Sequence, residues 1–159
     1  MAWYAKFGDI EGSSVHKDHK KWCNASSVNI GGHKAGGGGT GVGRVGGKMN
    51  LEDVSIGIIT DKALPKLLEA AAKGKVIDKV EIEGTATYGD AGEQTYIKVE
   101  LMKAQITSYQ LGVLDNDAST DDLSITINFE EHKIVFTEYG KDGKKGGNIE
   151  TTWKVEEGE

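Results

Sequence analysis

Three spacings in the sequence invite a chemical reading. His16, His19 and Cys23 stand at distances from which a zinc site can begin, but only the distant His33 and His132 remain as further nitrogen ligands. Lys17, Lys20 and Lys21 would repel a cation there, so the stretch reads as a solvated basic loop. Gly41-Val42-Gly43-Arg44-Val45-Gly46 matches G-x-G-x-x-G letter for letter. Dinucleotide binding requires a helix to start at that point, because its N-terminus holds the pyrophosphate. Here a strand pattern follows, and no helical pattern begins before Thr60. Gly47-Lys48 is no phosphate loop either, with Val42 at the upstream glycine position and Met49 at the Ser/Thr position. Asp115-Asn116-Asp117 resembles the start of a calcium loop, yet Thr120 replaces the turn glycine and Thr126 the bidentate glutamate. There is no G-x-S-x-G elbow, and the four histidines offer no general base. Cys23, beside Trp22 on a predicted strand, reads as a small buried apolar residue. The residues specify no catalytic group, no metal site and no cofactor.

The elements around these residues are mostly strands. The one clear helix lies in Asp61–Gly74, about residues 62–74, where Leu64, Leu67, Leu68 and Ala71 fall on one face. Pro65 suits a first turn, and Gly74 can take the left-handed conformation that ends a helix. Leu64, just before the proline, leaves the start less defined. The leucine face predicts a single helical lid on a β body.

In chain order, strands are predicted over Ala2–Phe7 and Trp22–Ile30, and within Lys48–Thr60 with a bulge or bend near Glu52–Asp53. Further strands follow over Val76–Gly84, Gln94–Gly112, Leu123–Phe129, Glu131–Tyr139 and Asn148–Val155. Gln94–Gly112 is the longest, with Ile97, Val99 and Leu101 on one face and Tyr96, Lys98 and Glu100 on the other. Gly8–Lys21 reads as a surface connection, and residues 113–122 as an acidic loop. Seven or eight strands and one helix imply a mainly β, two-sheet barrel or sandwich forming one domain over residues 1–159.

Residues 31–48 stand apart. Ten of the seventeen positions from 31 to 47 are glycine. Such a segment loses much conformational entropy on ordering and has few side chains to bury. It is expected to be a long extended arm that orders only against something else.

The net charge of −6 argues against nucleic acid, since no basic stripe can displace counterions. No run approaches membrane-span length, so membrane insertion is not expected. The N-terminus carries no apolar signal core, and a lone cysteine fits folding in a reducing compartment.

Several segments in order resemble the Hcp (haemolysin-coregulated protein) family of type VI secretion. HKDHKKW is similar to the family's lysine-rich loop before strand two. GGKMNLEDVSI is similar to its G-K-x-N-x-x-D-x-S, and DKALPKLLEAAAKGKVI to its D-K-A-S-P-x-L-x-x-A-x-x-G-x-x-I. DLSITINF, Tyr139, the late glycine pair and Trp153 also fall in place. Leu64 stands where the family has serine. The resemblance implies a β-barrel with a flanking helix that assembles as a hexameric ring. Stacked rings would form a hollow tube capped by a trimeric spike, driven by sheath and baseplate proteins and carrying effector cargo in its lumen. It implies a structural protein rather than an enzyme, cytoplasmic before assembly and then secreted without a signal peptide. With a ring partner in view, His33, Lys34, Thr40, Val42, Arg44 and Val45 are expected to make subunit or ring contacts. The alternatives are a tail-tube protein of a phage or related injection particle, and a carbohydrate-binding β-sandwich.

Overall fold

The computed structural model describes residues 1–34, 49–112 and 122–155. Ten strands and one α-helix follow in order: β1 (Ala2–Phe7), β2 (Cys23–Asn29), β3 (Gly32–Lys34), β4 (Met49–Leu51), β5 (Val54–Ile59), α1 (Leu64–Lys73), β6 (Val76–Thr87), β7 (Glu93–Gly112), β8 (Asp122–Asn128), β9 (Glu131–Tyr139) and β10 (Lys145–Lys154), with a 3-10 turn (Gly89–Ala91) between β6 and β7. Eight of the strands make one sheet in the order β10-β9-β7-β6-β1-β2-β5-β8, and β8 returns to pair with β7. That return closes a six-stranded barrel and leaves β9 and β10 as an extension beyond it. The short pair β3–β4 stands separately.

Closure depends on the length of β7, whose 20 residues serve two neighbours along one edge. Gln105–Gly112 lie opposite β8, whereas Ile97–Met102 lie opposite β9. Glu130 marks the change, its N–H bonding the carbonyl of Met102 at 3.1 Å. The chain therefore runs from β8 into β9 beside one strand while leaving the barrel wall.

Alternation fills the interior. Val54, Ile56 and Ile58 meet Leu123, Ile125 and Ile127 across β5 and β8, and Val80, Ile82, Val99 and Leu101 meet across β6 and β7. The predicted bend near Glu52–Asp53 is the break between β4 and β5, which belong to different sheets.

The helix closes the barrel with Leu67 and Ala70 fully buried, while Leu64, Leu68 and Ala71 pack partly buried beside them. Its end is a Schellman motif: Gly74 sits at φ 62°, its N–H meets the Ala71 carbonyl, and the Lys75 N–H meets that of Ala70. Its start has no side-chain cap on Ala63. Asp61 instead accepts the Ala63 N–H at 2.8 Å and, with its other oxygen, the Ser13 N–H at 3.0 Å. One carboxylate thus ties the helix start to the loop before β2.

That loop corrects the expectation of a solvated basic connection. Residues 12–22 lie as a strap over the outer face of the barrel, and His19 is only 1% exposed. Backbone bonds from Gly12 and Ser14 to the carbonyls of Lys21 and Trp22, and from Lys21 back to Ser14, lock its two ends together. A Cβ on Gly12 would lie 2.4 Å from the Trp22 carbonyl oxygen, so only glycine permits this crossing. Periodicity carries no sign of it, because Glu83 and Tyr4, which cover His19, lie on β6 and β1.

Candidate subunit interface

Five strands place one apolar row across the sheet. Ile149 pairs with Phe136, Phe136 with Ile97, Ile97 with Gly84, and Gly84 with Trp3. Directly opposed residues in antiparallel strands share a face, so these side chains stand side by side. The adjoining row is Ile134, Val99, Ile82 and Ala5, which inside the barrel is core. The extension therefore carries the core-facing side of the barrel wall past the point of closure, where the described residues leave it only partly covered. Phe136 remains 44% exposed and Ile149 72%. Edge-to-face ring contacts run from Trp3 to Tyr96 (6.2 Å) and from Tyr96 to Phe136 (6.1 Å), joining the row to the barrel. Gly84 makes room for Trp3, since a Cβ there would come within 3.0 Å of its ring and 2.8 Å of Ile97.

The opposite face is charged. Lys79 bridges Glu81 and Glu100 (2.8 and 3.2 Å), Lys98 bridges Glu100 and Glu83 (3.4 and 3.7 Å), and Lys133 meets Glu150 at 3.4 Å. The extension is thus amphipathic. From Lys145 to Trp153 the edge of its outer strand that faces away from β9 has no neighbouring strand among the described residues, leaving backbone groups open to pairing.

His132 lies where the extension leaves the barrel, opposite Leu101 on one side and Trp153 on the other. Its Nδ1 is buried without a hydrogen-bond partner, and Phe129 meets the ring edge-on at 5.6 Å. Burial lowers its pKa below the ordinary 6.5. The folded state therefore disfavours the proton that the unfolded chain accepts, so this contribution is complete above pH 6.5 and is lost as the pH falls below it. Urea midpoints at pH 7.5 and pH 5.0 are expected to fall further for the wild type than for His132→Leu. Equal acid losses in the two proteins would contradict this assignment.

The predicted contact residues fall into two sets. His33 and Lys34 form β3, the stem of the arm, with His33 opposite Asn50 and its Nδ1 3.3 Å from Glu52 in an exposed ion pair. Thr40, Val42, Arg44 and Val45 lie outside the described residues. Phe136 and Ile149 were absent from the predicted set. Their alternation was visible, but identifying them as uncovered required knowing that β8 displaces β9 from the barrel wall.

Among the described residues no group of three or more His, Cys, Asp and Glu is placed to hold a metal, and no helix is long and apolar enough to cross a membrane. Cys23 is buried, and desolvation, followed by the nearby Asp61, pushes its thiol up to about 12. It is an inert core residue, as its place beside Trp22 suggested.

A family model described as type VI secretion system effector, Hcp, matches residues 4–136. The chain belongs to the Hcp family. It is accordingly a type VI secretion protein of the structural, secreted tube class. Solved structures share the fold over nearly the whole chain. A type six secretion system protein superposes with a TM-score of 0.88 at 22% identity, covering 99% of this chain and 98% of that one. A type VI secretion system effector from Yersinia pestis gives 0.76 at 19%, covering 96% and 99%. Hcp1 from Salmonella typhimurium gives 0.77 at 15%, covering 98% and 95%. At these identities the likeness is one of fold. No curated protein sequence matches the chain.

Proposed function

We propose that this Hcp protein acts as a single domain over residues 1–159 that closes into hexameric rings, which stack into a hollow tube. The observation that carries the reading is the apolar row that continues the core face onto the extension and ends in exposed Phe136 and Ile149. A neighbouring subunit laid on this face completes the burial, and a cyclic arrangement gives every subunit the same contact without leaving an open end. The tube is propelled by sheath and baseplate proteins, carries a spike trimer at its tip and holds effectors in its lumen. The protein performs no catalysis. It is made in the cytoplasm and leaves with the tube rather than by a signal peptide.

The Gly-rich arm reaches between subunits or rings. His33 and Lys34 anchor its stem, and Thr40, Val42, Arg44 and Val45 supply its contacts, with Arg44 as the anchor because arginine is enriched at interfaces. Negative-stain electron microscopy, with mass by light scattering, tests both parts. Closed six-fold rings with an open pore are expected, and a well-folded monomer at high concentration would overturn the assembly reading. Deleting residues 36–46 is expected to abolish tube polymerisation. Unchanged polymerisation would remove the arm from the contact.

A further inference from the structure

Among the described residues the pair β3–β4 shares no ladder with the eight-stranded sheet. Two short links join this stem to the barrel, residues 30–31 after β2 and residues 52–53 before β5. The links are tied to each other, the Glu52 N–H donating to the Gly31 carbonyl at 2.9 Å. Leu51 packs partly buried against the core, and Val54, the first residue of β5, is fully buried opposite Ile127. Apolar contacts of this kind resist separation but carry no direction, so alone they would let the stem pivot. Asp53 lies between them and makes two directed bonds. Its Oδ1 accepts from the Asn128 amide at 3.0 Å, and its Oδ2 accepts the Thr107 hydroxyl at 2.9 Å.

Both donors stand at the seam where the barrel closes. Asn128 ends β8 and lies opposite Gln105 of β7. Thr107 is the extra residue of a β-bulge, between the pairs Ile106–Ile127 and Ser108–Thr126. A bulged residue is left out of the ladder and bends its strand, so the partner of its side chain helps to set the local angle. The Thr107 hydroxyl has one proton and two acceptors in reach, Asp53 and the Thr126 carbonyl at 3.1 Å. A carboxylate is the stronger acceptor of the two. Asp53 thus takes one bond from each strand of the closing seam. In the sequence it shows only as an interruption between Leu51 and Val54.

We propose that Asp53 is the positioning residue of the arm stem: its carboxylate clamps β3–β4 to the seam between β7 and β8 and gives the stem the one orientation from which it meets a neighbouring subunit. The use of that orientation rests on the reading of the arm as a subunit or ring contact, whereas the hold on the stem is a property of the single chain.

The test places spin labels on the full chain at Lys34→Cys in the stem and Lys6→Cys on β1, both exposed positions, while Cys23 at 1% exposure stays unlabelled. Pulsed electron resonance, at a concentration where light scattering reports single chains, is expected to give one narrow distance distribution. Asp53→Ala should broaden it at least twofold. Thr107→Val should broaden it in the same sense, and the double variant should be no broader than Asp53→Ala, because both remove one clamp. Urea midpoints should stay close to that of the parent, which a loss of barrel structure would not allow. Without labels, Asp53→Ala should slow tube polymerisation at least tenfold. An unchanged distance width in Asp53→Ala would overturn the clamp. Unchanged polymerisation in Asp53→Ala, where deletion of residues 36–46 abolishes it, would overturn its role in positioning. If the deletion also left polymerisation unchanged, the arm reading would fall, and the widths alone would decide the clamp.

Discussion

Phe136→Asp is expected to give a well-folded monomer at concentrations where the wild-type protein forms closed rings. Phe136 leaves 44% of its surface in solvent and lies outside the buried core, so its replacement costs the isolated chain the edge contact with Tyr96 but no core side chain. In a ring the same position is covered, and a carboxylate there would be buried without a partner. An uncompensated buried charge costs about 3–5 kcal/mol, which is roughly a hundred- to several-thousandfold per interface. Because a cyclic assembly repeats the interface, the loss multiplies around the ring. Ile149→Asp, its cross-strand neighbour, should act alike. Thr152→Asp is the matched control, on the same strand but the opposite face, directly across from Lys133. Light scattering should report monomer for the first two variants and rings for the third, with similar urea midpoints for the two monomers. Rings from Phe136→Asp would remove this face from the assembly.

The contrast between those positions shows what the sequence made legible. Alternation in Leu123–Phe129 and Ile97–Leu101 gave both the strands and their buried faces, because one face of each meets the core and period-2 patterning records that. The end of the helix at Gly74 was equally plain, since a left-handed cap has a residue-level signature. Its buried face was nearly so: Leu67 is buried as the predicted stripe has it and Leu64, Leu68 and Ala71 pack beside it, while Ala70, one residue off that stripe, is the second buried residue. Phe136 and Ile149 alternate like core residues, and only the topology distinguishes a covered face from an uncovered one. His19 is the opposite case. It sits among lysines, a composition that predicts solvent, and is buried by Tyr4, Glu83 and Trp22 from three places in the chain. Local patterning records the face of an element, whereas these two sites depend on which elements meet.

Leu67→Ala is expected to produce the largest loss of stability without altering assembly. Leu67 is 1% exposed at the centre of the only α-helix among the described residues, packed on the barrel interior. Truncating a buried leucine removes its transfer free energy and leaves a cavity, together about 2–5 kcal/mol. Alanine has the higher helix propensity, so the loss cannot be assigned to the helix itself. For a chain of this size the change corresponds to roughly 4–20 °C in melting temperature. Ring formation stabilises the folded state by mass action and would mask part of the effect. The comparison therefore belongs in the Phe136→Asp background, with Lys66→Ala on the solvent side of the helix as a control expected to change nothing measurable. At temperatures where it is folded, Leu67→Ala alone should still form rings. The two substitutions then separate cleanly, one acting on the lid of the barrel and the other on the face the barrel leaves uncovered. If Leu67→Ala abolished rings while the chain stayed folded, the helix would have to be part of the subunit contact, and the apolar row would no longer account for assembly alone.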